Sequence, residues 1–597
     1  MRLSTLDWSI ILATFAVTLG IGLYSARRAG SGADEFFLSG RNMPWWLLGV
    51  SMVATTFSAD TPNLVTDIVR KNGVSGNWVW WAFLLTGMLT VFVYARLWRR
   101  SGVTTDIEFY ELRYSGKSAA FLRGFRALYL GFLFNVTIMA TVSLAAIKIG
   151  GILLGLSPLD SLIWASIVTV AIATLGGLRA VLLSDFFLFG LSMAGAVAAA
   201  VFALGAPEIG NMDALRDAPQ VADKLSFVPQ LVRDASGNFT TESINVFVAV
   251  MLIPLAVQWW SVWYPSAEPG GGGYVAQRML AAKDEKNARA AVLLFTALYY
   301  GVRPWPWIVV ALCSLVVFPD LASIAAAFPD ADASIVNDDL AYPAMLQKVL
   351  PHGWLGLVVA SLLAAYVSTI STHLNWGSSY VVHDFYRRFV RPQASGREQV
   401  FVGRVSTVLM MVVAGLLALQ LSNALQGFEI MLQIGAGTGL LFILRWFWWR
   451  INAVSEIVAM IVSFVVAITL KLGTFGLASW QQLLLGVGIT TACWVTAALL
   501  TPPADAATLR SFCERINPGG PGWRRIYRQL EDAGIRPAES PVNIPRGILC
   551  MVLGCSAVYA VLFGTGFWLY GQGPNALALF ALAALSALGI IALRFND

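Results

Sequence analysis

Residues 51–63 read Ser51-Met52-Val53-Ala54-Thr55-Thr56-Phe57-Ser58-Ala59-Asp60-Thr61-Pro62-Asn63, a hydroxyl-rich stretch with a carboxylate and a proline, inside an apolar run over 44–69. A helix needs about 20 mostly apolar residues to cross a bilayer, and this run is long enough. Pro62 cannot donate a backbone bond and Asp60 is costly in lipid, so a helix here is interrupted. Interrupted backbone at membrane depth is stable only where protein or a cavity satisfies the freed groups. The stretch therefore decides for a bundle built round an internal site.

The rest of the chain fits that reading. Of 597 residues only 12% are Asp, Glu, Lys or Arg, and 57% are hydrophobic; ordinary soluble proteins carry about 25% charged residues. There is too little charge to cover a water-soluble surface, so an all-α polytopic membrane protein is expected. About fifteen apolar stretches have spanning length: near 7–25, 44–69, 74–99, 121–152, 158–176, 180–205, 244–266, 287–318, 353–385, 400–421, 427–449, 452–472, 478–500, 546–570 and 574–594. The first is followed by Arg27 and Arg28 and ends in no small-residue cleavage motif, which marks a retained helix rather than a signal peptide.

Lys and Arg accumulate on the cytoplasmic side of a membrane protein. With the N-terminus outside, about three-quarters of them fall in the connections beginning near residues 26, 96, 179, 278, 387, 445 and 510. The expected topology is N-out and C-in, in a bacterial inner (plasma) membrane. The net charge of +6 does not indicate nucleic acid, because the basic residues are scattered between apolar runs and not gathered on one face. The stretch 501–545, with Arg510, Arg515, Arg524, Arg525 and Arg528, reads as a cytoplasmic loop touching anionic lipid headgroups. The five cysteines have no metal-ligand spacing, and the three histidines (His352, His373, His383) neighbour no Cys or Glu in a metal-binding pattern. An enzyme is therefore not expected, nor is a sensor, since no kinase-like tail follows the last span. No obligate protein partner is evident.

Two further spans look broken. The seventh ends in Trp259, Trp260, Trp263, Tyr264 and Pro265, then Glu268-Pro269 and four glycines; the eighth contains Arg303-Pro304-Trp305-Pro306. Spans two to six and seven to eleven form two sets of five, each opening with an interrupted helix. An odd number per set inverts one against the other, the arrangement of an inverted-repeat transporter with its site beside the breaks. The expected parts are an extra helix (1–30), a first repeat (44–205), an outer loop (206–243), a second, inverted repeat (244–449), accessory helices (452–500), the basic loop (501–545) and a C-terminal helix pair (546–597).

Ionisable groups within spans face a cavity or a partner. Asp60 reads either as a cation or substrate contact or as a cap on the outer half-helix. Asp185 follows Ser184 near the membrane boundary, and its bland alternative is an ion pair with Arg179. Arg303 offers a bidentate fork suited to a carboxylate, or pairs internally with Asp60 or Glu268. The aromatic group at Trp259 and Trp260 walls a cavity or belongs to an interfacial belt. In the ninth span Ser368, Ser371 and Thr372 share one helical face, with Thr369 beside it. Neutral hydroxyls and freed carbonyls suit a weakly held, exchangeable cation; the alternative is back-bonding to i−4 carbonyls.

At these residues the chain resembles the sodium:solute symporter family. The matching stretches are Phe37-Leu38-Ser39-Gly40-Arg41, residues 105–114, the Gly-Gly-Leu-Arg-Ala-Val run leading to Asp185, residues 277–284, and the Ser-Thr cluster followed by His383-Asp384-Phe385-Tyr386-Arg387-Arg388, in order from about residue 1 to 470. The resemblance implies a five-plus-five, leucine-transporter-type core with one N-terminal and about four C-terminal extra helices. It implies sodium as the coupling ion, held by the carbonyls of Ala54, Phe57 and Ala365 and the hydroxyls of Ser368 and Thr369. Asp185, Ser371 and Thr372 match a further sodium site found in some members. For the solute, Arg303 and Gln433 match sugar-contacting positions, Thr56, Thr61 and Asn77 match other polar ones, and Trp259-Trp260 matches a gating aromatic pair. Glu268, Pro269 and the glycines depart from the sugar pattern. The expected function is sodium-coupled symport of a small polar organic solute, carboxylate-bearing or sugar-like; the competitor is a proton-coupled or uncoupled carrier using Asp60 or Asp185.

Overall fold

The computed structural model describes residues 3–29, 32–261, 268–329, 336–421, 435, 437–473, 475–537 and 540–593. Among these residues the protein is almost entirely helical; the β content is two isolated bridges, Met43 with Ala282 and Arg233 with Phe239. Eleven helices among the described residues are long and apolar enough to cross a membrane, and Trp45–Thr56, Pro158–Ala171 and Thr241–Ala256 are shorter apolar helices. The short pieces arise where a predicted span is interrupted or split. Of the predicted span 427–449, residues 427–434 and 436, and with them Gln433, lie outside the described residues.

The first expected break is present. Helix Trp45–Thr56 ends as Phe57 leaves helical geometry (φ −86, ψ 63), and helix Thr61–Asn72 begins with Pro62 in its first turn, where a missing N–H costs nothing. Of the second, residues 262–267 lie outside the described residues; on either side of them stand the short turn Gln258–Trp260 and helix Gly273–Ala281, the latter preceded by positive φ at Gly270 and Gly271. The third differs from expectation. Arg303-Pro304-Trp305-Pro306 lies inside one continuous span, Glu285–Val317, because a π-helical turn over Leu298–Val302 widens the coil just before the prolines. The Arg303 N–H bonds the Leu298 carbonyl at 3.1 Å, so each proline's missing donor falls in the first turn of the next helical segment.

Burial orders the bundle. The span Trp354–Val390 is 89% buried over its most apolar window and forms the axis, whereas Gly573–Ala592 is 11% buried and faces outward. Helices in lipid associate by close packing rather than by hydrophobic burial, so small residues sit where backbones meet. A Cβ on Gly195 would stand 2.4 Å from Ser361 Oγ on the axial helix. The run Pro158–Leu204, predicted as two spans, turns at Gly177 (φ 55, ψ −157), where a Cβ would lie 2.6 Å from the Phe36 carbonyl oxygen.

The stretch 501–545 carries helical structure of its own. It forms helices Ala506–Ile516 and Arg524–Asp532; Phe512 of the first and Trp523, in the turn just before the second, are buried and stacked 5.3 Å apart. Trp523 Nε1 donates to the Trp446 carbonyl (2.8 Å), and its ring lies 4.7 Å from the Arg113 guanidinium. The arginines alternate with apolar residues at helical spacing, so one face docks on the bundle while Arg515, Arg524, Arg525 and Arg528 stay exposed.

Candidate functional site

The hydroxyl cluster of the axial helix meets the end of the first half-helix. Thr369 Oγ1 donates to the Thr55 carbonyl (2.8 Å), and Thr372 Oγ1 lies 3.0 Å from Thr55 Oγ1. Ala365, one turn earlier, is buried, as are Ala54 and Phe57. The Ala54 and Val53 carbonyls share the Phe57 N–H at 3.1 and 2.8 Å, the last bonds before the helix unwinds. Beyond this point the backbone carbonyls lose their helical donors, which is the chemistry a dehydrated monovalent cation requires. Ser371 Oγ instead donates back to the Ser368 carbonyl (3.1 Å).

Asp185 joins this cluster from a third helix. Its Oδ1 accepts from Ser368 Oγ (2.7 Å) and its Oδ2 from Ser51 Oγ (2.5 Å), with no exposure of the side chain. The cation beside it is not Arg179 but Arg278, whose Nη2 is 3.8 Å from Asp185 Oδ2. Charge distribution along the chain places Arg278 in a cytoplasmic connection; the structure instead buries it, on helix Gly273–Ala281.

Thr56, Asp60, Thr61 and Arg303 gather round the first break. Arg303 Nη1 donates to the Thr56 carbonyl (2.6 Å) and lies 3.4 Å from Thr56 Oγ1. The guanidinium lies 3.7 Å from the Tyr299 ring centroid and 5.0 Å from that of Trp307, a cation–π seat away from water. Thr61 Oγ1 reaches the Thr56 carbonyl at 3.5 Å. Asp60 holds the N-cap position of Thr61–Asn72 without a side-chain capping bond, and its Oδ1 is buried with no hydrogen-bond partner. Among the described residues neither Asp60 nor Glu268 forms an ion pair with Arg303.

The remaining expected contacts divide. Asn77 is engaged in its own turn, donating to the Val74 carbonyl (3.0 Å) and accepting from Trp80 Nε1 (2.8 Å). The Trp259 carbonyl accepts from Thr86 Oγ1, and the Trp259 and Trp260 rings meet edge to face at 5.5 Å. Trp263 and Tyr264 lie outside the described residues.

Glu268 belongs to a second charged cluster. Its carboxylate pairs with Arg126 and with Arg445 Nη2 (2.8 Å); Arg445 Nη1 is 3.6 Å from Glu456, which accepts from the Tyr114 hydroxyl at 2.5 Å. All four charged side chains are buried. Beside them Asp106 accepts from the Gly273 N–H (2.8 Å) and from the Tyr380 hydroxyl, capping the half-helix Gly273–Ala281. Burial, with the nearby Glu268 charge, raises the Asp106 carboxyl from its ordinary value to about 6. Sequence reasoning missed this cluster because Arg126 and Arg445 look like loop charges. Trp446-Phe447-Trp448-Trp449 directly after Arg445 is the one sign that it turns inward.

Comparison with known proteins identifies the setting. A model of the sodium:solute symporter family matches residues 36–463. The chain is 24% identical over 494 residues to a sodium/glucose cotransporter of Vibrio parahaemolyticus, covering 81% of this chain and 88% of that one. It is 26% identical over 470 residues to the sodium/mannose cotransporter SLC5A10 of Bos taurus, covering 76% of each. A substrate-bound, outward-open Na+-coupled sialic acid symporter has a similar fold, with TM-score 0.64 and 20% identity over 84% of this chain and 99% of that one.

Proposed function

The chain belongs to the sodium:solute symporter family, and from that premise we propose that it imports a small polar organic solute together with sodium by alternating access. It is an integral membrane transporter, not an enzyme, and sodium is its coupling ion. The reading takes Ala54, Phe57, Ala365, Ser368 and Thr369 as the sodium ligands, in a core of two inverted five-helix repeats within about fifteen spans, N-terminus outside. The observation that carries it is the Thr369-to-Thr55 bond beside the Ser368–Asp185 contact. Oxygen ligands from the end of one half-helix and from the axial helix converge there. Sodium would tie these two elements together, and its loss to a low-sodium cytoplasm would release them.

The solute site on this reading is the break lined by Thr56, Asp60, Thr61 and Arg303, with Trp259-Trp260 as its wall. A guanidinium with part of its donor set unbonded, at a buried break, suits a carboxylate. The test is uptake into proteoliposomes from panels of sugars, amino acids and carboxylates, driven by a sodium or a potassium gradient. Uptake under sodium alone, lost in the Ser368→Ala, Thr369→Ala double variant, supports the reading; uptake indifferent to sodium rejects it. The buried, unpartnered Oδ1 of Asp60 favours one competitor, proton coupling, which an imposed pH jump without sodium would reveal.

A further inference from the structure

Asp185 is a buried carboxylate set between two hydroxyls, Ser51 and Ser368, with the hydroxyls of Thr372 and Thr55 close by. An oxygen-rich, anionic pocket shut off from water draws a cation, because an unpaired buried carboxylate is costly. The chain supplies that cation itself. Arg278 Nη2 donates to Thr372 Oγ1 (2.8 Å) and Ser51 Oγ (3.1 Å), Nε to Ser51 Oγ (3.3 Å) and Nη1 to Gln277 Oε1 (2.8 Å), with Nη2 3.8 Å from Asp185 Oδ2. Gln277 is held in turn, its amide nitrogen donating to the Phe37 carbonyl (3.1 Å) and Asn375 Oδ1 (3.0 Å). The guanidinium is thus fixed from several sides, on a side chain with no exposure.

We propose that Arg278 is a tethered counter-cation that fills the pocket of Asp185, Ser51 and Thr372, so that the protein binds a single sodium ion, at the neighbouring Ala54/Phe57/Ala365/Ser368/Thr369 position. The inference rests on the sodium-coupled reading and adds to it the number of ions. A sodium bound by Asp185 and Thr372 would share both groups with the guanidinium, and two like charges at that separation in a dry site repel. Thr372 Oγ1 already accepts from Arg278, and Ser371 Oγ is turned back onto its own helix. The fixed charge sits on the half-helix Gly273–Ala281, so the pocket is neutral before any ion arrives.

The experiment is equilibrium binding of radioactive sodium to the full-length purified protein, with choline balancing the salt. One sodium per chain with a Hill coefficient of about 1 is expected. Arg278→Gln, which keeps hydrogen bonding and removes the charge, should bind two; Arg278→Lys, which keeps the charge, should bind one. Two sodium ions on the unmodified protein overturn the inference while leaving sodium coupling intact, and a single ion on Arg278→Gln overturns the role given to Arg278. No bound sodium on the unmodified protein overturns the sodium-coupled reading, and the inference with it. Should Arg278→Gln fail to fold, the count on the unmodified protein and on Arg278→Lys still decides, since two ions on either reject the proposal.

Discussion

The Thr369 hydroxyl donates a 2.8 Å hydrogen bond to the carbonyl of Thr55, joining the axial helix to the last turn of the first half-helix. Removing that hydroxyl as Thr369→Val keeps the volume and deletes one oxygen from the proposed sodium position. The expected result is a rise of tenfold or more in the sodium concentration for half-maximal uptake, about 1.4 kcal/mol, with little change in maximal rate at saturating sodium. Titration of uptake against sodium checks it.

Arg303 provides both a charge and a planar fork at the break. Arg303→Lys preserves the charge but not the 2.6 Å bond to Thr56 together with the seat over Tyr299. If the solute carries a carboxylate, the lysine variant should lose about 1–3 kcal/mol of apparent solute affinity, with its sodium dependence retained. Solute competition assays distinguish this loss from a loss of folding, because sodium binding serves as the internal control.

Asp106 caps the half-helix Gly273–Ala281, and burial pushes its carboxyl up to about 6. Its folded-state value lies above its ordinary one because burial penalises the charge. Its contribution to stability is therefore greatest below about pH 4 and is lost as pH rises through about 6, a difference of about 3 kcal/mol. Asp106→Asn lacks this titration. The melting temperature of the unmodified protein should fall relative to that of Asp106→Asn between pH 4 and 7, and parallel melting curves would refute the assignment. The capping carboxylate forms over the same window, so uptake should show an inflection near pH 6 that is missing in the variant.

Gly177 turns the run Pro158–Leu204 with a positive φ, against the Phe36 carbonyl. Gly177→Ala adds backbone strain of about 1–3 kcal/mol and, in addition, the 2.6 Å clash. Loss of monodisperse protein on size exclusion is the expected readout, whereas Gly190→Ala, with nothing within 4 Å, should behave as the unmodified protein does.

Trp523 fastens the docked helix pair to Trp446 and Arg113. Truncation to alanine should cost about 3–5 kcal/mol locally. Limited proteolysis of 501–545 should accelerate in Trp523→Ala and stay unchanged in Arg524→Ala, whose side chain is exposed.

What could be read from the sequence followed from local chemistry. Pro62 and the glycines at 270–273 disrupt a helix wherever they stand, so the first break and the non-helical backbone at Gly270 and Gly271 were legible, as was the hydroxyl face at Ser368, Ser371 and Thr372. The prolines at 304 and 306 misled, because the five-residue π-turn Leu298–Val302 just before them absorbs them, and widening of a coil leaves no mark in composition. Charge partners were the least legible. Asp185 looks toward Arg179 by sequence distance, but the fold brings Arg278 to it from 93 residues away. Glu268 likewise finds Arg126 and Arg445 across three segments, and Asn77, polar by type, is occupied by its own turn.

The four buried charges Arg126, Glu268, Arg445 and Glu456 join segments that separate if the bundle opens at that end. No one of them can leave its partner in a dry interior, because a lone buried ion is far more costly than a hydrated one. Water must therefore reach the cluster before the segments part, and the speed of opening at that end becomes a question of wetting rather than of hinge stiffness. On that account a large, excluded osmolyte, which withdraws water from narrow passages, should slow turnover while leaving sodium affinity untouched.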